Sequence, residues 1–178
     1  NSAYWMSLKI KGADPATFRI FNNYYAVDKH RGYFRHQPIE GSDGETFTYL
    51  NDNWSRDAHD YYYGSTPLKV DDYDTFEILD EFLHDRALDK FSYYYQSSKV
   101  PIKDRGSLVI LASTYAKDDY HVYWAGFIVE EADPQSFEVV DDKRIRLGRD
   151  KNHCYSGPRI VRCHELNEEA RRYCRCDE

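Results

Sequence analysis

Short stretches rich in aromatic and β-branched residues recur along the chain, and Gly, Pro and Asp separate them. One class of stretch includes Tyr61–Tyr63 and Val122–Trp124, and a second class includes Phe18–Phe21 and Phe76–Leu79. Because these residues favour strands, both classes predict short β-strands. Glycines such as Gly64 follow the first class and mark tight turns into a third set of short apolar strands. The third set is centred on Ile39, Leu68, Ile128 and Ile160.

The stretches belong to an internal repeat, which a fixed spacing of apolar anchors makes visible. The anchors stand at positions 18, 47, 76, 108 and 137, so successive copies are offset by 29, 29, 32 and 29 residues. Each anchor follows a Ser or Thr, and an Asp lies four residues before it. We call these five the turn Asp residues: Asp14, Asp43, Asp72, Asp104 and Asp133. Asp followed by Pro or Gly, as in Asp14-Pro15 and Asp43-Gly44, is typical of the start of a turn.

Each copy also carries an Asp and a Tyr five residues apart, which we call the motif Asp and the motif Tyr. The motif Asp residues are Asp28, Asp57, Asp89, Asp118 and Asp150. The motif Tyr residues are Tyr33, Tyr62, Tyr94, Tyr123 and Tyr155. We expect the carboxylates to accept hydrogen bonds at turns or strand ends; calcium binding is the alternative, although the copies lack clustered oxygen ligands. We expect the rings to form the core, and a sugar-stacking surface is the alternative. No metal or cofactor is predicted.

These patterns predict an all-β protein, a tandem array of three-stranded repeats of about 29 to 32 residues, closed by a short C-terminal helical cap. The array is expected over residues 1–163, and residues 164–178 form a helix and a cysteine-containing tail. Tyr4 has the motif Tyr position without an Asp five residues earlier. We therefore expect the first repeat to be truncated at its N-terminus, with another strand and any export signal upstream.

Composition and charge narrow the classes of partner. Aromatic residues make up 16% of the chain, and each ring can bury about 150 to 250 Å², so a core built on rings is feasible. The longest apolar run, Leu108–Ala112, is far too short for a transmembrane segment. The net charge of -7 repels phosphate backbones, so nucleic acid is not an expected partner. The same charge would attract a basic groove on another protein.

All four cysteines lie near the C-terminus, at Cys154, Cys163, Cys174 and Cys176. The first two fall on the two arms of a hairpin, and the last two follow the predicted helix. Two disulfides joining the hairpin to the tail would fix the cap, and would place the protein in an oxidising compartment. Free thiols and a zinc site remain alternatives.

Sequence motifs of enzymes are missing. The chain contains no Gly-x-Ser-x-Gly and no glycine-rich phosphate loop. Four histidines fall two or three residues after a motif Asp, which favours a turn position over a catalytic role: His30, His59, His121 and His153. We therefore expect a protein that is not an enzyme.

Several segments resemble the bacterial DKNYY repeat family. They are Asp-Lys-Asn-His-Cys-Tyr at 150–155, Asp-Lys-His-Arg-Gly-Tyr-Phe at 28–34, Tyr-Ala-Lys-Asp-Asp-Tyr-His-Val-Tyr-Trp at 115–124 and the recurring Ala-Asp-Pro-x-Ser/Thr-Phe. The resemblance covers about residues 4 to 163, and the sequence departs from the pattern at Ala58-His59, Phe91 and Asp119. It implies a bacterial protein, often exported to the cell envelope and sometimes encoded beside a secreted toxin as its immunity partner. It brings no catalytic residues.

Together these observations favour a binding protein. The family resemblance suggests the more specific form, which the acidic charge is consistent with: an envelope or periplasmic immunity protein that neutralises a secreted bacterial toxin by steric occlusion. A carbohydrate or cell-wall binding module that uses exposed aromatic rows is one alternative, and a structural envelope protein is another. Two copies carry three extra residues in a loop, and longer loops often make binding surfaces. The predicted partner-binding residues are Glu81, Phe82, His84, Asp85, Asp142, Lys143 and Arg144, together with Trp124. Tyr73, Phe91 and Tyr120 are further rings outside the repeat consensus.

Overall fold

The computed structural model describes residues 2–79, 85–112, 114–141 and 147–176. Within these ranges the protein is built from short antiparallel strands and one short α-helix. The all-β repeat architecture with a C-terminal helical cap is therefore confirmed. The chain divides into two compact units, Asn1–Lys99 and Val100–Glu178.

The first unit contains a two-stranded sheet followed by meanders of four strands each. The two-stranded sheet is β1 (Tyr4–Trp5) and β2 (Leu8–Lys9). The next sheet is β3 (Arg19–Ile20), β4 (Tyr25–Val27), β5 (Gly32–Phe34) and β6 (Gln37–Pro38). It is followed by β7 (Thr48–Tyr49), β8 (Trp54–Arg56), β9 (Tyr61–Tyr63) and β10 (Thr66–Pro67). A 3-10 helix (Tyr73–Thr75) leads into β11 (Glu77–Ile78), β12 (Arg86–Leu88), β13 (Ser92–Tyr95) and β14 (Ser98–Pro101), whose last two residues belong to the second unit.

The second unit repeats the four-stranded meander and adds the cap. A 3-10 helix (Arg105–Ser107) precedes β15 (Val109–Ile110), β16 (Tyr115–Lys117), β17 (Val122–Trp124) and β18 (Phe127–Ile128). The last sheet is β19 (Glu138–Asp141), β20 (Leu147–Arg149), β21 (Cys154–Ser156) and β22 (Arg159–Val161). A 3-10 helix (Cys163–Glu165) and α1 (Glu168–Tyr173) complete the chain. In the described residues, no helix has the length and apolar character needed to cross a membrane.

Each complete sheet has one strand more than the three that the sequence predicted. The additional strands, such as β4 and β16, are only three residues long and centre on a small side chain. That small residue pairs directly with the motif Tyr of the same copy, as Ala26 does with Tyr33 and Gly148 with Tyr155. A segment this short, with an Ala, Ser or Gly at its centre, lacks the alternating pattern that signals a strand.

The small residue leaves room for the repeat anchor. The ring of Phe137 lies so close to Gly148 that an added Cβ would fall 2.2 Å from it. Phe137 also packs on Tyr115, with ring centroids 5.3 Å apart, and on Tyr155 at 5.6 Å. The anchor therefore joins one sheet to the next within the second unit. Phe47 does the same in the first unit, between Tyr25 and Tyr62.

Rings dominate the interior, as the composition predicted. All five motif Tyr side chains are at most 1% exposed, so they form the core and present no face for sugar stacking. Trp54 and Tyr25 are buried to the same degree. Because flat rings can pack edge to face at several distances, this core tolerates short strands with few aliphatic side chains.

Candidate functional site

The chain turns directly after every motif Asp, and we call the three residues that follow that Asp the tip loop. In the loop after Asp57, one carboxylate oxygen accepts the backbone N–H groups of His59 at 2.8 Å and Asp60 at 2.9 Å. The other oxygen accepts the hydroxyl of Tyr62 at 2.6 Å and the backbone N–H of Asp43 at 2.7 Å. One buried carboxylate thus closes the loop and ties it to the core and to the preceding turn. We call this arrangement the clamp.

The clamp is repeated in all five copies. The hydrogen bond from the motif Tyr hydroxyl to the motif Asp measures 2.7 Å at Asp28, 2.6 Å at Asp89, 2.7 Å at Asp118 and 2.9 Å at Asp150. In every copy the second and third residues of the loop donate their backbone N–H groups to the other carboxylate oxygen. The motif Asp residues therefore make the turn hydrogen bonds that the sequence favoured over calcium ligation.

The Ser or Thr before each anchor makes a further hydrogen bond to the tip loop. The hydroxyl of Thr46 donates to the carboxylate of the turn residue Asp43 at 2.7 Å. The hydroxyl oxygen of Thr46 also accepts the backbone N–H of Ala58, the first residue of the tip loop, at 3.1 Å. Thr17 and Ser136 make the equivalent pairs of bonds. The two halves of the repeat motif thus hold the same loop from both sides.

Burial and hydrogen bonding oppose each other at the clamp carboxylate. Burial works to raise the pKa of Asp57, but the Tyr62 hydroxyl and three backbone N–H groups outweigh it and hold the pKa below its ordinary value. The pKa values of Asp28, Asp118 and Asp150 are lowered for the same combination of causes. Burial, followed by the hydrogen bond to the carboxylate, raises the pKa of Tyr62. The clamp therefore contains an ionised carboxylate and a neutral phenol.

The second residue of each tip loop points to solvent, and we call it the tip residue. The tip residues are His30, His59 and Phe91 in the first unit, and Tyr120 and Asn152 in the second, and all are exposed. The ring of Phe91 is 49% exposed and that of Tyr120 is 57% exposed. A lysine ammonium lies over each ring, Lys90 at 5.2 Å from the Phe91 centroid and Lys103 at 5.5 Å from the Tyr120 centroid.

The tip loops combine a constant frame with a variable exposed side chain. Such a frame loses little conformational entropy when it docks, and an exposed ring beside a cation is a common anchor in protein interfaces. Among the described residues, no group of three or more His, Cys, Asp or Glu side chains is arranged to hold a metal ion. The geometry fits molecular recognition at the tips.

Most of the predicted partner-binding residues cannot be placed. Glu81, Phe82, His84, Asp142, Lys143 and Arg144 lie outside the described residues. Asp85 precedes β12; its carboxylate is 15% exposed and lies 3.8 Å from Nε of Arg86, which is itself buried. A partner-binding role for these residues stays a prediction.

Trp124 is half-buried in a packing position. Its ring lies so close to Gly157 that a Cβ there would fall 3.2 Å away, and Phe34 covers the turn at Gly64 in the same manner. Tyr73 is also packed, since its ring lies 4.8 Å from that of Tyr61 and its hydroxyl donates to the carbonyl of Asp57. Of the four rings that the sequence singled out, Phe91 and Tyr120 are thus the exposed ones.

Sequence reasoning grouped four histidines as turn residues, and the structure separates them. His30 and His59 are exposed tip residues, whereas His121 and His153, one position later, are partly buried. The signal that could have identified the tips is the contrast between copies. Motif Asp and motif Tyr are constant, whereas the second position after the motif Asp changes from His to Phe, Tyr and Asn.

The cysteines form two disulfides, Cys154–Cys174 and Cys163–Cys176. Both join the last hairpin region to the tail, as predicted, and pair all four cysteines. They fix α1, whose Ala170 is buried against Leu147. Two disulfides are consistent with an oxidising, extracytoplasmic compartment.

Comparison with known proteins gives one result. Residues 1–159 match the model of the DKNYY family. No curated protein and no solved structure matches the chain.

Proposed function

The chain belongs to the DKNYY family, and we propose that it is a non-enzymatic binding protein that engages a protein partner through its tip loops. The observation that carries this proposal is the clamp. Each of five loops is closed by its own buried motif Asp, and the five loops expose four kinds of side chain: His, Phe, Tyr and Asn. In two of the loops that side chain is an exposed ring, Phe91 or Tyr120.

The more specific proposal is an immunity protein that blocks a secreted antibacterial toxin by steric occlusion. The family resemblance suggests it, and the net charge of -7 would favour a toxin with a basic active-site groove. The rigid loops would cover that groove without taking part in chemistry. The disulfides support a location in the periplasm or cell envelope. Glu81, Phe82, His84 and the segment 142–144 are proposed as additional contacts.

Isothermal titration calorimetry with the purified products of adjacent genes tests the proposal. We expect one of them to bind at a one-to-one ratio. Phe91→Asn and Tyr120→Asn should each weaken binding by about 2 kcal/mol, roughly 30-fold, if the ring is an interface hotspot. Asn is a suitable replacement because Asn152 already occupies the tip of another copy. The thermal midpoint of both variants should therefore stay unchanged.

Ile20→Asn provides a matched control, because Ile20 is 71% exposed and lies on β3 instead of in a tip loop. Affinity that falls equally in all three variants would contradict the assignment to the tip loops. A complete lack of binding to neighbouring gene products would count against the immunity proposal.

A carbohydrate or cell-wall binding module is the second candidate, and the exposed rings of Phe91 and Tyr120 favour it. Aromatic side chains stack on the flat faces of sugar rings. Retention on purified peptidoglycan or polysaccharide that disappears in the double variant Phe91→Asn/Tyr120→Asn would favour this function over protein binding.

A further inference from the structure

The two disulfides differ in exposure. Cys154 is 7% exposed and packs with Leu147 and Ala170, whereas Cys163 lies on the surface. We call Cys154–Cys174 the buried bridge and Cys163–Cys176 the exposed bridge. Both border a groove of about 510 Å³ between the last sheet and the tail. A small thiol can therefore approach the exposed bridge at its surface residue Cys163, whereas in the buried bridge Cys154 is buried and Cys174 is half-buried.

Three arginines adjoin the exposed bridge, one through a hydrogen bond and two as sequence neighbours of its cysteines. The guanidinium of Arg171 donates from Nε to the carbonyl of Cys163 at 2.8 Å. The backbone carbonyl of Arg171 accepts the backbone N–H of Cys176 at 3.0 Å. Arg171 is therefore hydrogen-bonded to both cysteine residues of the bridge. Arg162 and Arg175 are the sequence neighbours of the two cysteines. Positive charge beside Cys163 attracts the incoming thiolate, which is the form of a thiol that attacks a disulfide.

The buried bridge keeps the tail in place when the exposed bridge opens. Cys174 is only two residues from Cys176 and is tied to Cys154 in β21. Ala170, 2% exposed, packs in the same cluster as Leu147 and adds to the anchoring of α1. A Cys176 thiolate would therefore stay close to Cys163, and the exposed bridge could close again without refolding of the cap.

From this arrangement we propose that Cys163–Cys176 is a reversible thiol-exchange site, whose co-reactant is an external thiolate such as glutathione or an exposed protein cysteine. The incoming thiolate forms a bond to Sγ of Cys163. The bond between the two Sγ atoms breaks, and its electron pair stays on Sγ of Cys176 as a thiolate. The products are a mixed disulfide at Cys163 and a free Cys176, with no net oxidation. Cys154–Cys174 remains closed and serves as the structural bridge.

The test exposes the oxidised full chain to reduced glutathione and, separately, to 2-mercaptoethanol, which carries no charge. Free thiols are blocked with N-ethylmaleimide at successive times, and mass spectrometry of peptides locates each modification. We expect the mixed disulfide on Cys163 and N-ethylmaleimide on Cys176, formed at least roughly tenfold faster than any opening of the buried bridge. Opening of both bridges at one rate, or of the buried bridge first, would overturn the proposal.

Arg171→Gln tests the role of the positive charge, and Arg172→Gln is its matched control. Both changes remove one charge from α1, but Arg172 pairs with Glu168 at 2.6 Å instead of contacting a cysteine residue. Exchange should slow roughly threefold in Arg171→Gln and stay unchanged in the control, with either thiol reagent. Equal rates in both variants would show that the guanidinium does not assist the incoming thiolate, and would overturn this part of the assignment. Circular dichroism at the working temperature verifies that each variant remains folded.

Discussion

Replacing Tyr62 with Phe removes a single hydroxyl from the centre of a clamp. That hydroxyl donates to Asp57 across 2.6 Å, and the two residues are 1% and 2% exposed. A hydrogen bond to a charged group contributes about 1.5 to 3 kcal/mol to stability. Asp57 keeps three backbone donors in the variant. We therefore expect the free energy of unfolding to fall by about 2 kcal/mol, near the middle of that range.

Urea unfolding followed by tryptophan fluorescence measures the loss, because Trp54 is fully buried and its strand pairs with the strand that carries Tyr62. Tyr49→Phe is the matched control, since it removes the same hydroxyl from a ring that is 41% exposed. It should change the unfolding free energy by less than about 0.5 kcal/mol. Equal losses in the two variants would refute the argument that the buried phenol holds the loop.

Asp57→Asn extends the same reasoning. The amide oxygen can still accept the two N–H groups of the tip loop, but its NH₂ group faces the N–H of Asp43, and two donors cannot bond each other. Leaving a buried donor unsatisfied costs about 1 to 3 kcal/mol in addition to the weakened bond to Tyr62. The expected loss is about 3 to 4 kcal/mol, clearly larger than that of Tyr62→Phe. A smaller loss would mean that the loop does not depend on the charge.

Three further predictions concern stability. Gly44→Ala should lower the free energy of unfolding by about 2 kcal/mol, because its Cβ would fall 2.1 Å from the carbonyl oxygen of Asp28. Gly106→Ala, whose Cβ meets only Oδ1 of Asp104 at 3.2 Å, should change it by less than about 1 kcal/mol, and urea unfolding compares the two. Hydrogen bonds hold the pKa of four motif Asp residues below the ordinary value. The contribution of these carboxylates to the free energy of unfolding is therefore complete above about pH 4 and is lost as the pH falls through their folded-state pKa values. Acid titration followed by circular dichroism should show unfolding below about pH 4, with a shallower pH dependence in Asp57→Asn. Replacing the buried bridge with two alanines should lower the thermal midpoint more than replacing the exposed bridge. The buried bridge closes a loop of 20 residues and the exposed bridge one of 13, and removal of the buried bridge also leaves a cavity beside Ala170.

The sequence alone determined the elements that depend on local chemistry repeated at a fixed spacing. The constant spacing of Asp, Tyr and Phe predicted the repeat, because each residue type recurs only if each copy uses it in the same place. It predicted short strands, a ring-based core and the helical cap. The clustering of four cysteines near one hairpin predicted two bridges from hairpin to tail. These inferences needed no knowledge of which copy contacts which.

Tertiary structure decided everything that depends on partners distant in the chain. The strand centred on Ala26 could not be predicted from the sequence. It forms because Ala26 pairs with the motif Tyr and leaves space for the ring of the anchor residue. Spacing connected Asp57 with Tyr62, but only the folded chain brings the N–H of Asp43 to the same carboxylate. Exposure likewise separated Phe91 from Trp124, two rings that composition treats alike. Burial and long-range hydrogen bonds are properties of the assembled sheets, so a single sequence carries them only indirectly.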